Sequence, residues 1–174
     1  MDKNYKNLQL ELSPKQIITL NDFPVHSTEV LNDYFEKCKS GKEIALVPVI
    51  RKEIVKQYFY GETLKEFEIF IENNPAAEYF MLDGSHRTTA LTITNRKIKG
   101  MIYETDEDIK KARSLVTTGQ ILENGTLDWT IKENCEFLNE HFSKTKLFQT
   151  VEQKTMRMVT EKVISEKMID FYVR

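Results

Sequence analysis

Asp83, Gly84, Ser85, His86 and Arg87 form one unbroken run inside YFMLDGSHRTTA (residues 79–90). An apolar segment leads into the run, and a segment able to begin a helix follows it. A buried strand that delivers such a turn to a helix start builds an anion site from its own backbone. The first helical turn leaves N–H groups without partners, and the helix dipole adds partial positive charge. Gly84 permits a sharp turn and the close approach of a ligand. Ser85 can cap the helix or donate to a phosphate oxygen. His86 can donate a hydrogen bond or shuttle a proton near neutral pH, and Arg87 offers a planar fork matched to phosphate or carboxylate. Asp83 is the odd member. It repels a bare phosphate, and fits such a site by holding Mg²⁺ or by accepting the proton of a hydroxyl nucleophile. A plainer alternative has Asp83 or Ser85 capping the helix, His86 packed and Arg87 paired with a nearby acid. Neither GxxxxGK[ST] nor GxGxxG occurs in the chain.

The elements that would hold this turn can be read from periodicity. LQLELS alternates as a first strand, and QIITL reads as a second short extended piece. Ser27 or Thr28 can cap a helix running to about residue 40, with Gly41 as its stop and Val30, Leu31, Tyr34, Phe35 and Cys38 on its apolar face. IALVPVI is a strand, in which Pro48 points to an edge or an irregularity. Leu64, Phe67, Phe70 and Ile71 have helical spacing and stop before Pro75. AEYFML is a strand, RTTALTIT a helix by its position after the turn, KIKGMIYE a strand, and DEDIKKARSLVTTG a helix with acids first and bases inside, as the dipole prefers. Beyond residues 121–125 the pattern is helical, over LDWTIKENCEFLNEHFSK and TVEQKTMRMVTEKVISEKMIDFYV, with IDFYV a candidate closing strand.

The bulk numbers narrow the function classes. The 174 residues suit one domain with an added subdomain, and 40% apolar content supports a real core. With 27 acidic and 25 basic side chains the net charge is −2, which weakens the case for a protein built to grip nucleic acid. Cys38 and Cys135 are far apart and form no CxxC pair, so buried free thiols are expected rather than a zinc site. The opening MDKNYKNLQLELS is too polar for a signal peptide, and no apolar run approaches the ~20 residues that cross a bilayer. A cytoplasmic protein with no membrane partner is the expectation.

LDGSHRTTAL closely resembles the signature of the ParB/sulfiredoxin superfamily, in which a strand enters a DG-x-HR-x-x-A turn and a helix. The flanks agree: LVPVIRK precedes it and NRKIKGMIYE follows, and the resemblance covers roughly residues 8–104. It implies an α+β fold: a ParB/sulfiredoxin-like core of a small mixed sheet with helices over 1–120, plus a helical extension over 121–174 packed on that core. It also implies a nucleotide-phosphate pocket, with Gly84, Ser85, His86, Arg87 and Thr88 as the phosphate set. The superfamily spans sulfiredoxins, ParB partition proteins, nucleases and free-serine kinases.

Within it, sulfiredoxin is disfavoured because that family carries its reactive cysteine inside the motif, where this chain has Ser85, and a hydroxyl cannot perform thiol exchange. ParB proteins place a helix-turn-helix reader after this domain, and no clear basic recognition helix follows Thr105. The small basic cluster NRKIK (residues 95–99) is read as a solvated strand end. The free-serine kinase branch is similar in its aspartate-led turn. It implies ATP or ADP with Mg²⁺ near Asp83, a small hydroxyl-bearing acceptor, and a carboxylate, Asp83 or Glu29, taking the acceptor's proton while His86 and Arg87 stabilise the transferred phosphoryl group. That pattern sets the glutamate directly after a histidine. In PVHSTEV two residues separate His26 from Glu29, so either Glu29 shifts into the same place or the base is missing, and a first-turn acid capping the helix is the alternative.

Three function classes result: a nucleotide-dependent phosphotransferase or nucleotide hydrolase; a DNA-associated ParB-like protein or nuclease; and a nucleotide-sensing module without turnover. Elsewhere, Trp129 reads as a core or staple residue beside a helix cap at Asp128 or Thr130, and His141 as a surface residue. FQTVEQKTMRMV reads as an amphipathic helix packed on the core or on a second copy in a homodimer, from which Lys154 and Arg157 could reach a phosphate if the helix covers the pocket. No two-histidine spacing with acids suggests a structural metal.

Overall fold

Short β-rich runs separated by longer helical ones give five strands threaded between helices. The computed structural model describes residues 8–25 and 27–173. Strands β1 (Gln9–Leu12), β2 (Ile17–Ile18), β3 (Val47–Arg51), β4 (Tyr79–Met81) and β5 (Ile98–Tyr103) form one mixed sheet in the order β1-β5-β3-β4-β2. β3 runs parallel to β5 and antiparallel to β4, β1 is antiparallel to β5, and β2 is parallel to β4. The class is α+β.

Side chains alternate across the pleat, so each strand feeds two cores. Ile50, Phe80 and Tyr103 face one core, and Val49, Met81 and Ile102 the other. Helices α2 (Lys52–Lys56), α3 (Gly61–Asn73), α5 (Asp106–Ser114) and α6 (Ile131–Thr145) supply the first core with Val55, Phe67, Ile109 and Phe142. Helices α1 (Thr28–Lys39), α4 (Ser85–Ile93), α7 (Val151–Thr160) and α8 (Glu166–Tyr172) supply the second with Phe35, Leu91, Met158 and Met168. The segment after residue 120 therefore enters both cores. It is also bridged to the sheet, Leu46 to Ile121 and Ile18 to Thr150.

Local chemistry explains the boundaries. Ser27 is the N-cap of α1, its side chain accepting from the Val30 N–H, and Gly41 lies just past the helix in the left-handed region at φ 72°. α4 is helical despite its threonines because their hydroxyls bond back along the helix: Thr88 to the Gly84 carbonyl, Thr92 to Thr88 and Thr94 to Ala90. Cys38 and Cys135 are buried free thiols, as expected.

Two expectations are corrected. Pro48 is not at an edge: β3 is the central strand, paired on both sides. The Pro48 carbonyl accepts from the Leu82 N–H at 3.0 Å, so its ring nitrogen also faces β4, at a level where β4 has already ended at Met81. The pair lacks only the reciprocal bond to the Leu82 carbonyl, which proline has no N–H to make, and the β3–β4 ladder stops at this level. IDFYV is helical rather than extended. Ser165 caps α8 through the Met168 N–H, and Met168 and Phe171, three apart, share the face packed on the second core, where Phe171 meets Phe35 edge-on at 5.5 Å.

Candidate functional site

β4 ends where the chain leaves the ladder, and Gly84 makes the turn as the N-cap residue of α4 with φ 117°. A Cβ at Gly84 would lie 3.2 Å from Arg87 Nη2, so the position needs glycine both for its backbone and for the space. Gly84 brings no side-chain cap.

The turn borders a cleft of about 540 Å³. Asp22, Asp83, Ser85, His86 and His141 give it a polar side, and Tyr34, Leu122 and Phe137 an apolar one. Arg87 is only 2% exposed. Its guanidinium donates to the Leu46 carbonyl at 2.6 Å, the Ala45 carbonyl at 3.3 Å and Asp83 Oδ2 at 2.5 Å. Of the two roles open to Arg87, the structure displays the ion pair with a neighbouring acid. The fork ties the turn to the chain entering β3 and matches the charge of Asp83 within the turn.

Ser85 does not cap. Its Oγ–H donates to Asp22 Oδ1 at 2.7 Å. The same carboxylate oxygen accepts from Lys154 Nζ at 2.5 Å, and Lys154 Nζ stands 3.4 Å from Ser85 Oγ. Lys154 is 1% exposed. Burial pulls its ammonium below the ordinary lysine range, and Asp22 opposes that shift. α7 thus does bring Lys154 to the turn. Arg157, the other cation expected there, lies over the Phe23 ring at 3.7 Å and pairs with Glu161 instead.

His86 Nε2 accepts from the Ser27 N–H at 3.2 Å, which joins the site turn to the start of α1. Thr88 is buried and turns its hydroxyl into its own helix, toward the carbonyls of Gly84 and Ser85. Glu29 sits exposed in the first turn of α1 and is not among the described residues lining the cleft, whereas Val30 and Tyr34 of the same helix are. His26 lies outside the described residues. The structure therefore gathers Asp83, Gly84, Ser85, His86 and Arg87 at one cleft, leaves Glu29 at its margin and sets Thr88 behind it.

Sequence reading missed two residues at this site. Asp22 gave no local signal, because its partners are 63 and 132 residues away. His141 was expected at the surface, but it is half-buried on the cleft wall and its Nε2 accepts from the Asn21 N–H at 3.1 Å. Burial holds His141 below the ordinary imidazole range, with the Lys154 charge acting the same way and Asp22 against it. Trp129, just before the Thr130 cap of α6, meets Phe137 with tilted rings at 5.4 Å.

Among the described residues no group of three or more His, Cys, Asp or Glu converges as a metal cage. Mg²⁺ carried by a nucleotide needs only one or two protein carboxylates. Asp83, its side chain 41% exposed, meets that smaller demand. The NRKIK cluster is engaged elsewhere: Arg96 donates to the carbonyls of Cys38 and Lys42, and Lys99 pairs with Glu43. Among the described residues no helix is long and apolar enough to cross a membrane. Comparison with family models, with curated proteins and with solved structures returns no significant match.

Proposed function

We propose that the cleft binds ATP or ADP and that the chain is a cytoplasmic phosphotransferase acting on a small hydroxyl-bearing metabolite, such as free serine, or a nucleotide hydrolase. The observation that carries this reading is the charge balance at the start of α4. Two acids stand beside a helix N-terminus that would otherwise suit an anion, and each is matched by a buried cation: Asp83 by Arg87, Asp22 by Lys154. A phosphate entering the cleft meets the positive end of the helix dipole rather than bare carboxylates. The apolar wall of Tyr34, Leu122 and Phe137 suits a nucleobase. Asp83 is the residue that would hold Mg²⁺, which when bound would draw charge from the phosphate oxygens. Positioning and electrostatics supply most of the rate in phosphoryl transfer, and His86, fixed by Ser27, is placed to orient the phosphate.

The test is a thermal-shift titration with ATP and ADP, paired with a phosphate-release assay with and without free amino acids. A ligand at 100 times its Kd stabilises the fold by about 2.7 kcal/mol, so a clear rise in Tm is expected. Asp83→Asn keeps the shift and loses at least about 100-fold in turnover. Glu29→Gln retains turnover, because Glu29 is exposed and off the cleft wall. A melting temperature indifferent to both nucleotides overturns the proposal.

A further inference from the structure

The nucleotide reading uses Asp22 and Lys154 only for charge balance, yet their geometry with Ser85 is more specific than that. A serine that merely opens a helix turns its oxygen to a backbone N–H two or three residues on. Ser85 instead gives its proton to a carboxylate at 2.7 Å. That is the contact a general base makes with the hydroxyl it is about to deprotonate, within the 2.6–3.2 Å reach such a step requires. The base is itself held: Lys154 Nζ lies 2.5 Å from the accepting oxygen and 3.4 Å from Ser85 Oγ. Ser85 and Asp22 both line the cleft, and the buried Lys154 of α7 reaches the two of them without lining it.

We infer that Ser85 is itself a phosphoryl acceptor, with Asp22 as its proton acceptor and Lys154 as the counter-ion of the product. The inference rests on the nucleotide reading above. In the step, Ser85 Oγ forms a bond to the terminal phosphorus of a nucleoside triphosphate. The bond from that phosphorus to the bridging oxygen breaks, and the diphosphate leaves with its electron pair. The Oγ proton passes to Asp22. The phosphoserine then stands at the first residue of α4, where the helix N-terminus favours a dianion, with the Lys154 ammonium beside its ester oxygen. Attack by water on that phosphoserine regenerates Ser85 and releases phosphate; attack by an acceptor hydroxyl completes a transfer. One nucleophile thus serves both the hydrolase and the transferase outcome.

The experiment incubates the full chain with ATP and Mg²⁺ and quenches in acid at times from sub-second to an hour. Phosphoserine survives acid, so intact mass and peptide mapping read its occupancy and position. Nucleotide binding is followed separately by thermal shift on the same proteins. The expected result is a gain of one phosphoryl group on Ser85, absent in Ser85→Ala, carried as phosphothreonine in Ser85→Thr, and formed at least about 100-fold more slowly in Asp22→Asn. Phosphate carried by Ser85→Thr, read with the thermal shift of each variant, separates loss of the acceptor from loss of binding or folding. A wild-type chain that binds nucleotide but carries no phosphate at residue 85 at any quench time, or carries it elsewhere, overturns the inference and leaves the nucleotide reading standing. A chain that binds no nucleotide overturns both.

Discussion

Gly84 answers to two constraints that act in the same place. Its backbone at φ 117° lies where L side chains are strained, and the face a Cβ would occupy is filled by the Arg87 guanidinium at 3.2 Å. Gly84→Ala is expected to cost about 1–3 kcal/mol from the backbone alone, and more if Arg87 must shift from the Leu46 carbonyl. Urea denaturation reads that loss, and an unchanged midpoint would mean that the turn relaxes freely. The residues of this turn were legible because they are consecutive: a strand, a glycine and a helix start are local signals. Even the partner of Asp83 was within reach, since Arg87 lies one helical turn on. Asp22 was not legible. What gives it meaning is a hydroxyl 63 residues away and an ammonium 132 residues away, and no periodicity encodes such a pairing.

At the scale of elements, burial and hydrogen bonding decided what propensity left open. The threonines of α4 weigh against a helix, yet the hydroxyls of Thr88, Thr92 and Thr94 each find a carbonyl one turn back, so the element forms where its apolar neighbours Leu91 and Ile93 are needed. Pro48 misled in the opposite sense: it lies in the central strand, but just past the last β3–β4 pair, where its missing N–H forgoes a single bond. α6 carries the clearest pH-sensitive contact. His141 Nε2 can accept from the Asn21 N–H only while that nitrogen is unprotonated, and burial depresses its affinity for protons below the ordinary imidazole value of 6.5. The unfolded chain therefore takes up a proton near that value, whereas the folded chain does so only at lower pH. Between the two, the unfolded state binds more protons, so stability falls as pH drops through the window below 6.5. His141→Gln should remove this component. Urea midpoints of both proteins between pH 7 and pH 5 check it, and parallel pH profiles would rule it out.

Across the whole molecule, the helical segment after residue 120 is a structural part of the core and of the site. The sequence pattern changes at that boundary, and the break in periodicity is real. What periodicity does not reveal is where the apolar faces go. Phe142 from α6 stacks on Phe148 at 4.5 Å, and both rings meet Phe59 and Phe80, which belong to the sheet side. On the opposite face Val151, Met158 and Met168 complete the core around Phe35 and Leu91. Loss of a buried phenylalanine costs about 3–5 kcal/mol. Loss of Phe142 and Phe148 together therefore approaches the roughly 5–15 kcal/mol that holds a whole domain folded. A chain ending at residue 120 is thus expected to lack a cooperative thermal transition and dispersed amide resonances, and to bind no nucleotide, having also lost Leu122, Phe137 and His141 from the cleft and Lys154 from Asp22. Phe142→Ala in the full chain provides the graded version: a fall of about 3–5 kcal/mol in urea, with nucleotide binding kept wherever the fold persists. A truncated chain that melts cooperatively would show that the sheet and its first helices form a finished core, and that the later helices are only docked on it.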